Sequence, residues 1–219
     1  LARLRDAVDA EVQKGERYFA YRNMRERPGT FQDYCLTSDV GRRVAEVAGA
    51  GRVSLIYDQI FAKEPGTRTQ TGWHTDQPYW PVAGPIMTLW IALDPVDPDN
   101  GALEFVRGSH AWGAKYRPFR TDQMGAFTHY LETDNPEYID MPDFESDRAR
   151  FDIVHSPHME PGDALAFDGM RCLLGFVRGW DGGALTGDRT TFVDDLHFAV
   201  IPEPSTVVVW SLLMALMAG

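Results

Sequence analysis

The chain has 219 residues and a net charge of -11, from 21 Lys and Arg against 32 Asp and Glu, with a sequence pI near 4.9. At 44% hydrophobic content it can bury one substantial core, and its pattern shows neither an internal repeat nor a second core. The acidic balance argues against a nucleic-acid partner, because phosphate backbones are bound by clustered Lys and Arg.

Two helices are predicted near the start. Leu1 to Gln13 spaces Leu4, Val8 and Val12 four apart, and Ser38-Asp39 precedes Val40, Val44 and Val47 before a Gly-Ala-Gly stop. Between them Arg22, Arg25 and Arg27 form either a local basic patch or, more simply, a solvated face. Short apolar runs follow at 53 to 61, 86 to 93, 102 to 107, 151 to 155 and 163 to 167, separated by Gly, Pro and Asp clusters, as all-β architectures require.

In the first run Tyr57, Gln59 and Lys63 share one strand face, which lines a pocket or forms the polar outside of an edge strand; we assign Gln59 to the pocket. After Ile86 to Leu93, the turn residues Asp97-Pro98-Asp99-Asn100-Gly101 predict that Ala102 to Val106 returns as the next strand of an antiparallel meander. From Lys115 to Arg150 aromatic residues are scattered among charges without a period, and a stretch of that length inside a domain is expected to be a lid or disordered.

The chemistry-bearing segment is Thr71-Gly72-Trp73-His74-Thr75-Asp76-Gln77-Pro78-Tyr79-Trp80. His-x-Asp on an extended backbone turns an imidazole and a carboxylate to the same side, where both can hold one divalent metal. Trp73 and Trp80 flank the pair, as walls of a substrate entrance or as packing, and His110 is expected to be structural.

The stretch WHTDQPYWPVAGPIMTLWIALDPVDPDNGALEFVRGSH resembles the metal-binding core of the phytanoyl-CoA dioxygenase family of Fe(II)/2-oxoglutarate-dependent oxygenases, and Met159 to Phe167 extends the similarity. The resemblance implies a mainly β protein, a double-stranded β-helix or cupin-like jelly-roll with flanking helices, over residues 1–201. It implies iron held by His74 and Asp76, with 2-oxoglutarate and O2 as co-substrates. It also implies a dioxygenase that hydroxylates a small or lipid-like organic molecule. Trp90 matches the tryptophan that lines the co-substrate pocket. Arg189 is the candidate partner of the co-substrate's far carboxylate, with a solvent-facing Arg as the plain alternative.

One departure stands out. The resemblance puts a third ligand, a histidine, six residues beyond Phe167, and that position is Leu173. Cys172 beside it is a potential soft ligand, although Cys172 and Cys35 are both expected to be reduced, buried small hydrophobes. His197 is a candidate substitute on a late strand, with an ordinary strand histidine as the alternative. His155 and His158 are not placed as ligands. The chain is then an enzyme with a substituted ligand, an inactive relative that acts as a binding protein, or a frame-shifted or truncated copy. Residues 202–219 form an apolar tail, shorter than the ~20 residues of a spanning helix. The tail is expected to dock on a sheet, with membrane contact only if it is a truncated anchor. No signal peptide is recognised, and a cytoplasmic location is expected.

Overall fold

The computed structural model describes residues 2–12, 18–63, 71–80, 84–98, 100–121, 127–169, 174–176 and 190–201. The described residues include three α-helices: α1 Ala2–Val12, α2 Thr30–Thr37 and α3 Val40–Val47. The first strands are β1 Tyr18–Arg22, β2 Arg52–Tyr57, β3 Gln59–Lys63, β4 Ile86–Ala92 and β5 Leu103–Val106. Four short ones follow, β6 Lys115–Tyr116, β7 Phe119–Thr121, β8 Phe127–Tyr130 and β9 Tyr138–Ile139. The last are β10 Ile153–His155, β11 Ala164–Asp168, β12 Leu174–Phe176 and β13 Thr190–Ile201.

A six-stranded sheet runs β1-β3-β13-β4-β11, with β2 pairing farther along β13, and a three-stranded sheet runs β10-β5-β12. Along β4 the side chains alternate between two cores. Leu89 and Ile91 join Leu4, Val8, Phe31, Val40 and Val44 beneath the helices, while Trp90 and Ala92 join Leu103, Val96 and Met159 between the sheets. Covered on both faces, Ile86 to Leu93 is apolar almost throughout. Each buried Leu or Ile there contributes on the order of 1.5–3 kcal/mol. Leu4 and Val8 bury together because residues four apart share a helix face.

Several expectations change. In α3 the buried residues are Val40, Val44 and Ala45, and Val47 is 65% exposed; at 3.6 residues per turn Val47 falls at the edge of that arc. The helix α2 joins the two predicted ones. The run at 53 to 61 breaks at Asp58, whose buried carboxylate takes the Arg25 guanidinium at 2.8 Å. Arg25 is therefore committed to the fold and belongs to no solvated face. The predicted meander does not form, since β4 is flanked by β13 and β11 and has no edge left for β5. The turn instead carries the chain into the second sheet, with the Asn100 side-chain oxygen accepting from Asp97 N at 2.8 Å.

The segment from 115 to 150 carries a parallel pair, β6 with β9, and an antiparallel pair, β7 with β8. Its Tyr116 and Phe144 form a third core with Trp73 and Val106. The late strand β13 contains His197, paired with Thr88 on one side and Tyr57 on the other. Leu173, Cys172, Arg189 and the tail 202–219 lie outside the described residues. No described helix is long and apolar enough to cross a membrane.

Candidate metal centre

His74 and Asp76 are both buried, and His74 Nε2 stands 3.4 Å from Asp76 Oδ1. Asp76 has helical backbone angles and starts a helical turn over Gln77–Tyr79, with Pro78 inside it, so the pair sits where the chain enters that turn.

Both side chains are oriented through their second polar atoms. His74 Nδ1 lies 2.8 Å from the Gly72 carbonyl. With that nitrogen donating, Nε2 keeps its lone pair and faces Asp76. Thr88, wholly buried on β4, donates its hydroxyl to Asp76 Oδ2 at 2.8 Å. Gly169, just past β11, closes the wall: its N donates to Ile86 O at 3.0 Å and its carbonyl accepts from Gln77 N at 2.9 Å.

The segment from 115 to 150, inserted between β5 and β10, covers the other side. The Phe119 ring meets His74 edge-on at 5.0 Å, and Tyr79 does so at 6.2 Å. Tyr79 Oη donates to Phe119 O and accepts from Phe119 N, at 3.1 and 2.8 Å. Tyr130 Oη donates to Trp73 O at 3.1 Å, and Trp73 Nε1 donates to Glu145 at 2.8 Å. Burial raises the Tyr79 phenol well above its ordinary value. Burial, reinforced by Asp143 and Glu145, pushes Tyr130 up to about 12. Both hydroxyls therefore stay protonated donors at neutral pH.

A nitrogen and an anionic oxygen at this separation, each fixed through its other polar atom, are a donor pair suited to one divalent cation. Among the described residues no group of three His, Cys, Asp or Glu could hold a metal. Gln59 is buried, and its side-chain oxygen accepts from Tyr57 Oη at 2.9 Å; Tyr57 packs on Trp80 at 4.3 Å. Trp90 sits in the core between the sheets. His110 is on an exposed turn, while His155 and His158 pair with Glu104 and Glu160. Cys35 packs against the helix-side core, and burial pushes its thiol up to about 12. From sequence, Phe119 and Tyr130 stand out only as aromatics of the 115–150 segment, and Thr88 and Gly169 carry no assigned role. Of the latter two, Thr88 alone left a trace, as the one hydroxyl in an apolar run.

Fold and site together define a mainly β protein with a buried His-x-Asp pair whose Nε2 and Oδ1 face each other. The phytanoyl-CoA dioxygenase (PhyH) family model matches residues 2–171, and the chain belongs to this family. The match ends two residues before Leu173. No curated protein matches the chain. Among solved structures, AviO1 from Streptomyces viridochromogenes Tue57 is similar at 20% identity and TM-score 0.61, over 93% of this chain and 86% of that one. SnoK, a non-heme alpha ketoglutarate dependent carbocyclase from nogalamycin biosynthesis, is similar at 18% and 0.62, over 90% and 74%. EctD from S. alaskensis, solved with bound Fe, gives 18% and 0.56, over 83% of this chain and 56% of that one. At these identities the likeness is one of fold.

Proposed function

We propose that the chain is an Fe(II)/2-oxoglutarate-dependent oxygenase, built on a double-stranded β-helix, that hydroxylates a small or lipid-like organic molecule. The buried pair of His74 Nε2 and Asp76 Oδ1, 3.4 Å apart within a family match, carries this reading. His74 and Asp76 would hold the iron, which with 2-oxoglutarate and O2 supplies the oxidising chemistry for an unactivated C–H bond. The chain's own part is to fix those two donors and keep water from them with the rings of Phe119 and Tyr79. Gln59 and Trp90 are assigned to the co-substrate side, and Arg189 to its far carboxylate through a two-bond fork. For the third position the candidate is His197, whose backbone lies in register with Thr88, the residue that holds Asp76.

The test is an anaerobic titration with Fe(II) and 2-oxoglutarate, watching for the visible charge-transfer band of the chelated complex. A band in the wild type that is lost in His74→Ala is expected. No band at millimolar iron would overturn the oxygenase reading and leave a binding shell that has lost its metal, the reading favoured by Leu173.

A further inference from the structure

We infer that Thr88 is a positioning residue that fixes which oxygen of Asp76 faces the cation, and that Gly169 keeps the slot in which its hydroxyl works. This inference rests on the proposed metal site and names two of its determinants. Three observations support it. The Thr88 hydroxyl donates to Asp76 Oδ2, the oxygen turned away from His74, while Oδ1 faces His74 Nε2. Thr88 has no exposed surface, so no water can replace its hydroxyl at that oxygen. A Cβ at Gly169 would stand 2.6 Å from Thr88 Oγ1 and 3.4 Å from Asp76 Oδ2.

The glycine is there for space. Its φ lies outside the left-handed region, so alanine fits the backbone and only the cavity rejects it. The atom in the way belongs to a β-branched side chain with a stiff first torsion. The hydroxyl could make room only by rotating off Asp76. With Oδ2 occupied by a neutral donor, the carboxylate is held to one-oxygen ligation through Oδ1. Without that donor it can turn and expose either oxygen.

The experiment measures Mn(II) affinity by calorimetry in the presence of 2-oxoglutarate, for variants whose folding is checked by circular dichroism. Thr88→Val keeps the shape but removes the donor. It should weaken Mn(II) binding by about 10- to 100-fold, the usual effect of losing a hydrogen bond to a metal-binding carboxylate. Thr88→Ser restores the hydroxyl and should bind near the wild-type level, a rescue that a mere packing role would not predict. Gly169→Ala should match the Thr88→Val loss. Adding it to Thr88→Ala should cost far less than it does in the wild type, because the 2.6 Å contact is gone and only the approaches to Ile86 Cγ2 at 3.3 Å and Asp76 Oδ2 at 3.4 Å remain. Unchanged affinity in Thr88→Val, no rescue by serine, or independent additive losses would overturn the inference while leaving the metal site intact. A wild type that binds no Mn(II) would overturn the proposed function, and this inference with it.

Discussion

Asp76 and His74 stand two residues apart and are held by different kinds of structure. Asp76 is fixed from the sheet, by a hydroxyl on β4 and by the backbone at the end of β11. His74 is fixed by its own turn at Gly72 and is covered by the Phe119 ring of the aperiodic insertion and by Tyr79 of the following turn, with Trp73 beside it tied to Tyr130 and Glu145. The regular part of the molecule thus sets the acidic donor, and the irregular part sets the surroundings of the imidazole. Changes in the insertion should alter what reaches the site before they alter what the site can bind.

The sharpest way to break this division is to compare Asp76→Ala with Phe119→Leu. Removing the carboxylate should abolish Mn(II) binding. The leucine, which keeps an apolar cover over His74, should leave it within a few-fold and change the binding of organic ligands instead. Equal losses of metal in both variants, measured by calorimetry, would mean that the insertion helps build the donor pair itself.

A second test asks how firmly the insertion is bolted down. Glu104 on β5 is 1% exposed, and its carboxylate is met by the Arg148 guanidinium from the insertion, which also reaches Glu145, the partner of Trp73. Arg148→Met leaves the buried carboxylate with only His155, 3.6 Å away, beside it and should cost about 3 kcal/mol, the lower end of the range for a broken buried pair because Arg148 is partly exposed. Removing both charges in Glu104→Leu/Arg148→Met should return most of that stability. Urea midpoints at constant slope would show it, and a double variant as weak as the single would mean that the pair contributes attraction rather than merely cancelling a charge.

The same division explains what the sequence disclosed. The pairing of His74 with Asp76 was legible because a short spacing and its flanks encode it, and the strands around them because short apolar runs between turn residues mark them. The switch of β5 into the second sheet was not, since the Asp97 to Gly101 turn looks the same whether the next strand pairs or crosses; only the occupation of both β4 edges decides it. Thr88 and Gly169 matter through a meeting of β4 with the end of β11, a contact between positions far apart in the chain. Phe119 and Tyr130 lie in a segment without a period, so their contacts with His74 and Trp73 had no local signature.

The smallest expected effect sharpens the comparison from the insertion's side. Tyr130→Phe removes the bond to the Trp73 carbonyl and should cost about 1 kcal/mol, the net worth of a neutral hydrogen bond. It should also change the alkaline response. Burial holds Tyr130 and Tyr34 up at about 12, above the ~10 of a free phenol, so the unfolded chain releases these protons first. Their stabilising contribution is complete below about pH 9 and is lost as pH rises through the folded values. The wild-type thermal midpoint should therefore fall between pH 10 and 12, and Tyr130→Phe, with one such proton fewer, should fall less steeply. Parallel curves would mean that the phenol ionises as readily in the folded chain as in the unfolded one, and that the insertion does not shield the Trp73 side of the site from solvent.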